Sequence, residues 1–433
     1  MSLPPGPQSP AWLQLLRWVL TPTSFMEACA RRYGDTVSIN MTPLGRIVMI
    51  SDPAQVRTVF SGDADTWYTG TDRAELAAVV GANSLLTLQG DAHMRQRRLI
   101  QPSFQGERMR AYGSLIEEIT RNDMATWPEG KPFALHPHMQ GVTLDVILQA
   151  VFGLREGERL DALREALINY LRLGQSPLIL LPWIREVTGT VNRFLVLHEQ
   201  IDKLIYAEIS ERREASDLQS RTDILSLMLQ ARDENDQPMT DEELRDELVT
   251  LLLAGHETTA TALAWTFERL VRHPEAMQRL VAEIDAGEED KYLTAVIRES
   301  LRVRPVVPVF ARRLNKPVTL GDYDYPRGTT IVPSVYLTNR NPERFPEPTA
   351  FRPERFLEDK PDPYTWIPFG GGLRRCIGAS FAVYEMNTVI RTVLSHYSLA
   401  PDRPADERLR RRNITLTPSR GARVIATPRN RAG

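Results

Sequence analysis

The spacing of apolar residues along the chain predicts two kinds of secondary structure. Two short runs with strand-type composition, Thr36–Asn40 and Arg46–Ile50, are separated by a turn. They predict a small β unit over about residues 35–60. From about residue 92 to residue 300 the apolar positions recur mostly at helical spacing. A mainly helical region therefore follows the first strands.

Short strands and turns return after the helical region, over about residues 305–335. A helix is predicted at about residues 379–396, and a final hairpin across Ile414–Ala426. No internal repeat or linker divides the sequence. We therefore expect one domain over residues 1–433, mainly α with a smaller β-rich portion, which is an α+β fold.

One predicted helix is unusually long and apolar. Thr240 followed by Glu243 forms a capping box, and His273 before a proline marks the stop, so the helix is expected over Asp241–Arg272. At 1.5 Å per residue it spans roughly 48 Å. Its middle, Leu248–Gly255, is apolar on every side, which predicts that it is buried.

Composition narrows the class of protein. The chain has 433 residues, of which 42% are hydrophobic and 25% charged, as in a globular protein with a large core. The net charge of −2 argues against nucleic acid as a partner. Two distant cysteines, Cys29 and Cys376, make no disulfide framework and favour a reducing compartment. Cys29 lies in a predicted surface helix, Phe25–Tyr33, and no role is assigned to it.

The N-terminus carries no secretory signal pattern. The apolar stretch Trp12–Leu20 is too short for a bilayer, which needs about 20 apolar residues. It can rest on a membrane surface or pack on the protein body, and we favour packing. We expect a cytoplasmic protein without an integral membrane anchor.

The most informative short segment is Phe369–Gly378, which contains Cys376 between glycines. A helix is predicted directly after it, and two arginines precede the thiol. A helix N-terminus and neighbouring positive charges both lower the pKa of a thiol. A thiolate in such a loop can ligate haem iron. The alternative is a buried structural cysteine.

The segment fits the pattern F-x-x-G-x-R-x-C-x-G at Phe369, Gly372, Arg374, Cys376 and Gly378. It resembles the haem-binding loop of the cytochrome P450 superfamily, and the resemblance covers the chain from end to end. It implies haem b between the long central helix and the Cys loop. Cys376 would then be the iron ligand, Arg374 would contact a haem propionate, and Phe369 would pack near the sulfur.

The long helix contains a second motif, Ala254–Thr259. By itself it has a structural explanation, because a threonine can bond the preceding turn and Gly255 can allow close packing. The resemblance implies instead an oxygen-activation segment, in which Gly255 leaves room for dioxygen and the helix opens. Thr258 would donate a hydrogen bond to dioxygen, and Glu257 would relay protons from solvent.

The resemblance implies roles for two further groups of charged residues. Glu299 and Arg302 have the spacing of a helical ion pair, and with Arg355 they would form a buried network that holds the Cys loop. His93 and Arg97 lie on one helical face and would bind haem propionates. A solvated basic helix is the alternative explanation for that pair.

Arg312 is a further expected propionate contact, with Arg313 as the neighbouring candidate. The substrate pocket is expected to be apolar and to hold a lipophilic molecule such as a fatty acid, terpenoid or steroid. Core packing explains its candidate residues equally well. These residues are Leu252, Ala254, Val307, Val309 and Leu416.

The resemblance implies a monooxygenase that uses O2 and takes electrons from a separate ferredoxin and an NAD(P)H-dependent ferredoxin reductase. The default expectation is a monomer. A peroxygenase or isomerase of the same fold is disfavoured by Glu257 and Thr258, as is a haem-binding sensor or carrier. A basic docking face for an acidic ferredoxin is expected, although a solvated helix face explains most of its residues: Arg95, Arg98, Arg108, Arg110 and Arg375.

Overall fold

The computed structural model describes residues 3–42, 45–68, 74–104, 109, 112–153, 157–174, 190–358 and 362–429. Most of these residues are helical. The helices are α1 (Ala11–Leu20), α2 (Pro22–Tyr33), α3 (Pro53–Ser61), α4 (Ala74–Val80), α5 (Gly90–Ile100), α6 (Gly113–Met124), α7 (Leu135–Phe152), α8 (Glu158–Gly174), α9 (Thr190–Glu214), α10 (Ile224–Gln230), α11 (Asp241–Arg272), α12 (Pro274–Ala286), α13 (Lys291–Val303), α14 (Val335–Thr338), α15 (Arg355–Glu358) and α16 (Ala379–His396).

The strands are short and form small sheets. They are β1 (Thr36–Asn40), β2 (Arg46–Ile50), β3 (Trp67–Tyr68), β4 (Pro132–Ala134), β5 (Arg312–Leu314), β6 (Val318–Leu320), β7 (Tyr323–Tyr325), β8 (Thr330–Pro333), β9 (Tyr397–Pro401), β10 (Leu409–Arg412), β11 (Thr415–Pro418) and β12 (Arg423–Pro428). The α+β class predicted from the sequence is confirmed, and β1 and β2 have the predicted bounds.

The long helix α11 begins and ends at the residues predicted from the sequence. The Thr240 hydroxyl accepts a hydrogen bond from the Glu243 amide at 3.2 Å, and the Glu243 carboxylate accepts one from the Thr240 amide at 2.9 Å. These two bonds satisfy backbone groups that the first turn leaves without partners. The helix ends at Arg272 with His273 as its C-cap, which confirms the predicted bounds.

The largest sheet has the order β1-β2-β8-β5-β3, in which β2 and β8 are parallel and the other neighbours antiparallel. A second sheet has the order β4-β12-β9, and β6–β7 and β10–β11 are hairpins. The largest apolar cluster includes buried residues of α7, α11 and α16, such as Leu148, Leu263 and Val389. In the part of the chain that is described, no helix combines the length and apolarity needed to cross a bilayer.

The predicted final hairpin across Ile414–Ala426 is wrong. β11 pairs instead with β10, around a turn in which Asn413 has a φ of 54°. After β11, Gly421 and Ala422 both have positive φ, 78° and 52°, and the chain changes direction there. β12 then pairs with β4 and β9.

The expectation of a surface position for Cys29 is also wrong. Helix α2 begins at Pro22, and Cys29 faces inwards with 2% of its surface exposed. It packs in an apolar cluster with Trp18 and Val37. Burial raises the pKa of the Cys29 thiol to about 11, so the thiol is neutral and inert at neutral pH.

Candidate active site

The loop before α16 has a backbone that only particular residues allow. The amide of Cys376 donates a hydrogen bond to the carbonyl of Phe369 at 2.9 Å, which closes the loop. Gly370 and Gly372 have φ values of 67° and 63°. A Cβ atom at Gly372 would lie 1.8 Å from the carbonyl oxygen of Phe60, so no side chain fits there.

Cys376 combines an accessible side chain with a raised thiol pKa. Desolvation by the surrounding protein is the main cause of the rise. The backbone amide of Gly378 and the charges of Arg375 and Arg97 act in the opposite direction, but burial outweighs them. The expectation of a lowered thiol pKa is therefore wrong for the protein alone. A Cβ atom added at Gly378 would meet no protein atom within 4 Å.

Arginines from separate parts of the chain converge on His93. His93, Arg312 and Arg374 line one cavity, and no acidic residue is among its described lining residues. The pKa of His93 is lowered to about 3, first by burial and then by the charges of Arg374, Arg97 and Arg312. His93 is therefore neutral at physiological pH. A positive cavity of this kind fits an anion.

The cavity also settles which of two adjacent arginines faces it. Arg312 is 8% exposed and its guanidinium lies 5.5 Å from the centre of the Phe60 ring. Arg313 is exposed, because successive side chains of a strand point to opposite faces. Arg374 reaches the cavity while it donates hydrogen bonds to the Leu85 carbonyl and the Gln89 side chain, both at 2.8 Å.

The middle of α11 has one exposed position within an otherwise buried or half-buried stretch. Ala254 is exposed although Leu252 and Ala260 of the same helix are fully buried. Thr258 lies one turn further along the same face and is half-buried. An exposed alanine at the centre of a core helix indicates an open space beside it. Leu253 is half-buried and packs on the main apolar cluster.

The helix does not open at this motif. It is α-helical throughout, and the Thr258 hydroxyl donates to the Ala254 carbonyl at 2.7 Å. A Cβ atom at Gly255 would lie 3.2 Å from Cδ1 of Ile147, so Gly255 allows close packing of α11 on α7. The sequence left this structural explanation open, and the geometry of Gly255 supports it over room for dioxygen.

Glu257 is held by two partners that the sequence did not indicate. Its Oε2 accepts a hydrogen bond from Gln140 of α7 at 2.5 Å, and its Oε1 lies 3.6 Å from Nη1 of Arg412 in β10. Burial raises the pKa of Glu257, while Arg412 and Gln140 oppose that rise. No local motif marks Gln140 or Arg412, since both come from distant parts of the chain. His256 points elsewhere and is 4% exposed.

The predicted network under the Cys loop is confirmed. Glu299 and Arg302 are fully buried, with Nε of Arg302 2.7 Å from the carboxylate, and Nε of Arg355 lies 3.2 Å from the same carboxylate. Arg302 also donates to the carbonyls of Pro348 and Ala350 at 2.7 and 2.9 Å. The network therefore joins α13 to the segment that leads into the Cys loop.

The predicted pocket residues do not share one surface. Leu252 is fully buried on the side of α11 opposite Ala254, in the main apolar cluster. Leu416 is fully buried, and its carbonyl accepts a hydrogen bond from the Trp265 indole at 2.7 Å. Val309 packs on the same smaller cluster as Leu416, and Val307 packs on the main cluster. Of the five, Ala254 is the one that is exposed.

The predicted basic docking face is partly neutralised. Arg95 lies 2.6 Å from Asp233 and 2.8 Å from Glu243, and Arg98 lies 3.3 Å from Glu234. These pairs tie α5 to the first turn of α11 and to the segment before it. Arg375 is exposed. Arg108 and Arg110 lie outside the described residues.

Comparisons with known proteins identify the family of the chain. The sequence model described as Cytochrome P450 matches residues 4–425. The chain is 38% identical to cytochrome P450 135B1 of Mycobacterium tuberculosis over 430 residues, covering 98% of this chain and 91% of the relative. It is 39% identical to cytochrome P450 138 of the same organism over 427 residues, covering 98% and 96%.

Two solved structures share the fold. One is the retinoic acid-bound cyanobacterial CYP120A1, with a TM-score of 0.86, 23% identity and coverage of 99% of this chain and 100% of that chain. The other is the haem domain of cytochrome P450DA, with a TM-score of 0.86, 21% identity and coverage of 99% and 98%. The chain belongs to the cytochrome P450 family, and it is a monooxygenase with haem as its cofactor.

Proposed function

We propose that haem binds between the Cys loop and α11, with Cys376 as the iron ligand. The observation that carries this proposal is the convergence of Arg97, Arg312 and Arg374 on a neutral His93 in a cavity without acidic lining residues among those described. The two propionates of haem supply the negative charge that this cluster lacks. The bound haem supplies the capacity to activate O2 at its iron.

The remaining loop residues support the same placement. Gly378 leaves open space beside Cys376, where a side chain would otherwise project. Phe369 packs on the main apolar cluster, and its ring centre lies 6.1 Å from that of Trp366. Arg374 has two roles in this proposal, because it faces the propionate cavity and also fixes the backbone near Leu85. The Cys loop is thereby attached to the segment before α5.

The proposed proton donors are Glu257 and Thr258. Because burial raises the pKa of Glu257, a larger fraction of this acid holds a proton near neutral pH than on the surface. Gln140 and Arg412 orient its carboxyl group, and Thr258 is the adjacent residue on the face with Ala254. The pair would move protons from Glu257 to Thr258 and into the site while apolar neighbours exclude bulk water.

We propose a lipophilic substrate, such as a fatty acid, terpenoid or steroid. Ala254 of α11 is exposed at the proposed site, and its side chain and that of the neighbouring Leu253 are apolar. An apolar wall selects apolar ligands because it offers no partner for a polar group that loses water on entry. A panel of fatty acids, terpenoids and steroids should shift the haem spin state. Shifts confined to small polar molecules would contradict this substrate class.

We propose that electrons come from a separate ferredoxin and an NAD(P)H-dependent ferredoxin reductase, and that the protein acts as a monomer in the cytoplasm. Arg375 and Arg98 offer exposed positive charge for an acidic donor, although Arg98 faces Glu234. Reconstitution with both proteins should give NAD(P)H-dependent product. Product formed with peroxide but never with the electron-transfer proteins would contradict a monooxygenase supplied in this way and support a peroxygenase.

A further inference from the structure

The N-terminal helix α1 has an apolar surface on its outer side. Its inner side buries Trp18 and Gln14 against the protein. The outer side carries Trp12, Leu16 and Leu20, with 64%, 45% and 67% of their surfaces exposed. They follow one another at intervals of four residues, so they lie on one face. Most exposed apolar residues of a soluble protein are scattered singly, and a contiguous set indicates an interaction surface.

The hairpin β10–β11 lies next to α1 and carries a further exposed apolar residue. The guanidinium of Arg411 donates a hydrogen bond to the Trp18 carbonyl at 2.9 Å, which places the hairpin beside the C-terminal end of α1. At the tip of the hairpin, Ile414 exposes 66% of its surface next to Asn413. We call Trp12, Leu16, Leu20 and Ile414 the N-terminal apolar patch.

The charged residues of α1, α2 and the β10–β11 hairpin are almost all positive. Residues 11–33 and 409–418, which carry α1, α2 and the hairpin, contain six arginines and one glutamate, whereas the whole chain has a net charge of −2. Two of these arginines have internal partners, since Arg412 faces Glu257 and Arg411 bonds Trp18. Arg17, Arg31 and Arg32 are exposed, and the one acid, Glu27, accepts a hydrogen bond from Tyr336 at 2.7 Å.

From this combination we infer that the N-terminal apolar patch docks the protein on an anionic lipid surface. A helix with tryptophan and leucine on one face and arginine beside them has the composition of an interfacial helix that lies in the plane of a membrane. Its apolar side chains enter the boundary between headgroups and acyl chains, and nearby arginines are attracted to anionic headgroups. The inference does not depend on the substrate or on the electron donor.

Flotation of the full-length holoprotein tests this inference. We expect it to float with vesicles of phosphatidylcholine and phosphatidylglycerol and much less with phosphatidylcholine alone, with weaker binding at high salt. Leu16→Ser and Leu20→Ser should each lower the partition coefficient about tenfold. The control Leu357→Ser, which replaces a leucine with 41% of its surface exposed on α15, should leave it unchanged.

A second measurement does not depend on the folding of the leucine variants. The tryptophan emission of the wild-type protein should shift to shorter wavelength when phosphatidylglycerol vesicles are added. Trp12→Phe should remove that shift, which assigns it to Trp12. The inference is overturned if the holoprotein binds no vesicle, or if Leu16→Ser with Leu20→Ser leaves binding unchanged. It is also overturned if the leucine pair only abolishes self-association of the holoprotein, because the patch would then join two copies of the chain.

Discussion

Arg412 lies 3.6 Å from the carboxylate of Glu257, although the two residues belong to the last hairpin and the central helix. On the other carboxylate oxygen, Gln140 donates a hydrogen bond at 2.5 Å. Burial favours the neutral form of Glu257, whereas both partners favour the charged form. The proton affinity of the proposed donor is therefore set by residues outside the sequence motif that contains it.

Replacement of Arg412 should change the pH dependence of turnover. Arg412→Gln removes a positive charge that lowers the pKa of Glu257, so that pKa rises further. Because Glu257 is proposed to give up a proton, turnover falls as pH rises through its pKa, and the variant should shift that fall to higher pH. The measurement is the rate of product formation across a pH series.

The matched control is Arg410→Gln, an exposed arginine of the same hairpin that pairs with Thr417 across the strands. It should keep the wild-type profile. If Arg412→Gln and Arg410→Gln behave alike, Arg412 does not act on the proton donor.

Replacement of Thr258 should separate haem binding from oxygen use. Thr258→Ala removes the hydroxyl on the face with Ala254 and leaves the cation cluster around His93 intact. We expect normal haem content and NAD(P)H oxidation, with less product and more hydrogen peroxide per NAD(P)H, because protons reach the site poorly. General acid catalysis typically contributes about 10²–10⁴ in rate, so the loss of product should be large.

Thr259→Ala is the control for that measurement. The Thr259 hydroxyl makes the equivalent bond to the Gly255 carbonyl at 2.9 Å, but its side chain is buried away from the open space. Coupling should be retained in this variant. Wild-type coupling in Thr258→Ala would remove Thr258 from the proton path.

A side chain introduced at Gly378 should occupy space that we propose for haem, without a clash with protein atoms. A Cβ atom there meets no protein atom within 4 Å, and its φ of −87° suits any residue. Gly378→Val should therefore leave the unfolding midpoint of the apoprotein unchanged and lower haem incorporation. Unaltered haem content in a folded Gly378→Val variant would show that haem lies elsewhere.

Loss of one partner in the buried network should be severe. Glu299→Gln leaves Arg302 without its carboxylate in a fully buried position, which typically costs about 3–5 kcal/mol of unfolding free energy. Arg121→Gln, which breaks an exposed pair with Glu117, should leave the unfolding free energy nearly unchanged. Denaturant titration of both variants measures the difference, and equal values would contradict the network's structural role.

The sequence predicted features that depend on local signals. The bounds of α11 follow from a capping box and a proline after His273, and β1 and β2 follow from short apolar runs. The final hairpin was wrong because the runs around Thr415 and Arg423 are both good strands, and their turns and tertiary partners decide which strands pair. Leu252 was selected by its position next to the motif in α11. The middle of this helix is apolar on every side, which leaves no periodicity to show which side faces the site.

Features that depend on tertiary contacts could not be predicted from local sequence signals. Gln140 and Arg412 meet Glu257 only when α7 and β10 pack against α11. The pKa of the Cys376 thiol depends on how much protein surrounds it, and local charges alone gave the wrong direction. The arginine cluster was expected from a family resemblance, and the cavity showed that Arg312 rather than Arg313 faces it.

The central claim is that Cys376 is the iron ligand of the haem. Its most direct test is the absorption spectrum of the reduced, carbon monoxide-treated holoprotein, beside Cys376→Ser and the control Cys29→Ser. The wild type and Cys29→Ser should both show the long-wavelength Soret band of thiolate-ligated haem, because Cys29 is buried in a separate apolar cluster. Cys376→Ser should lose that band. Persistence of the band in Cys376→Ser would contradict the account.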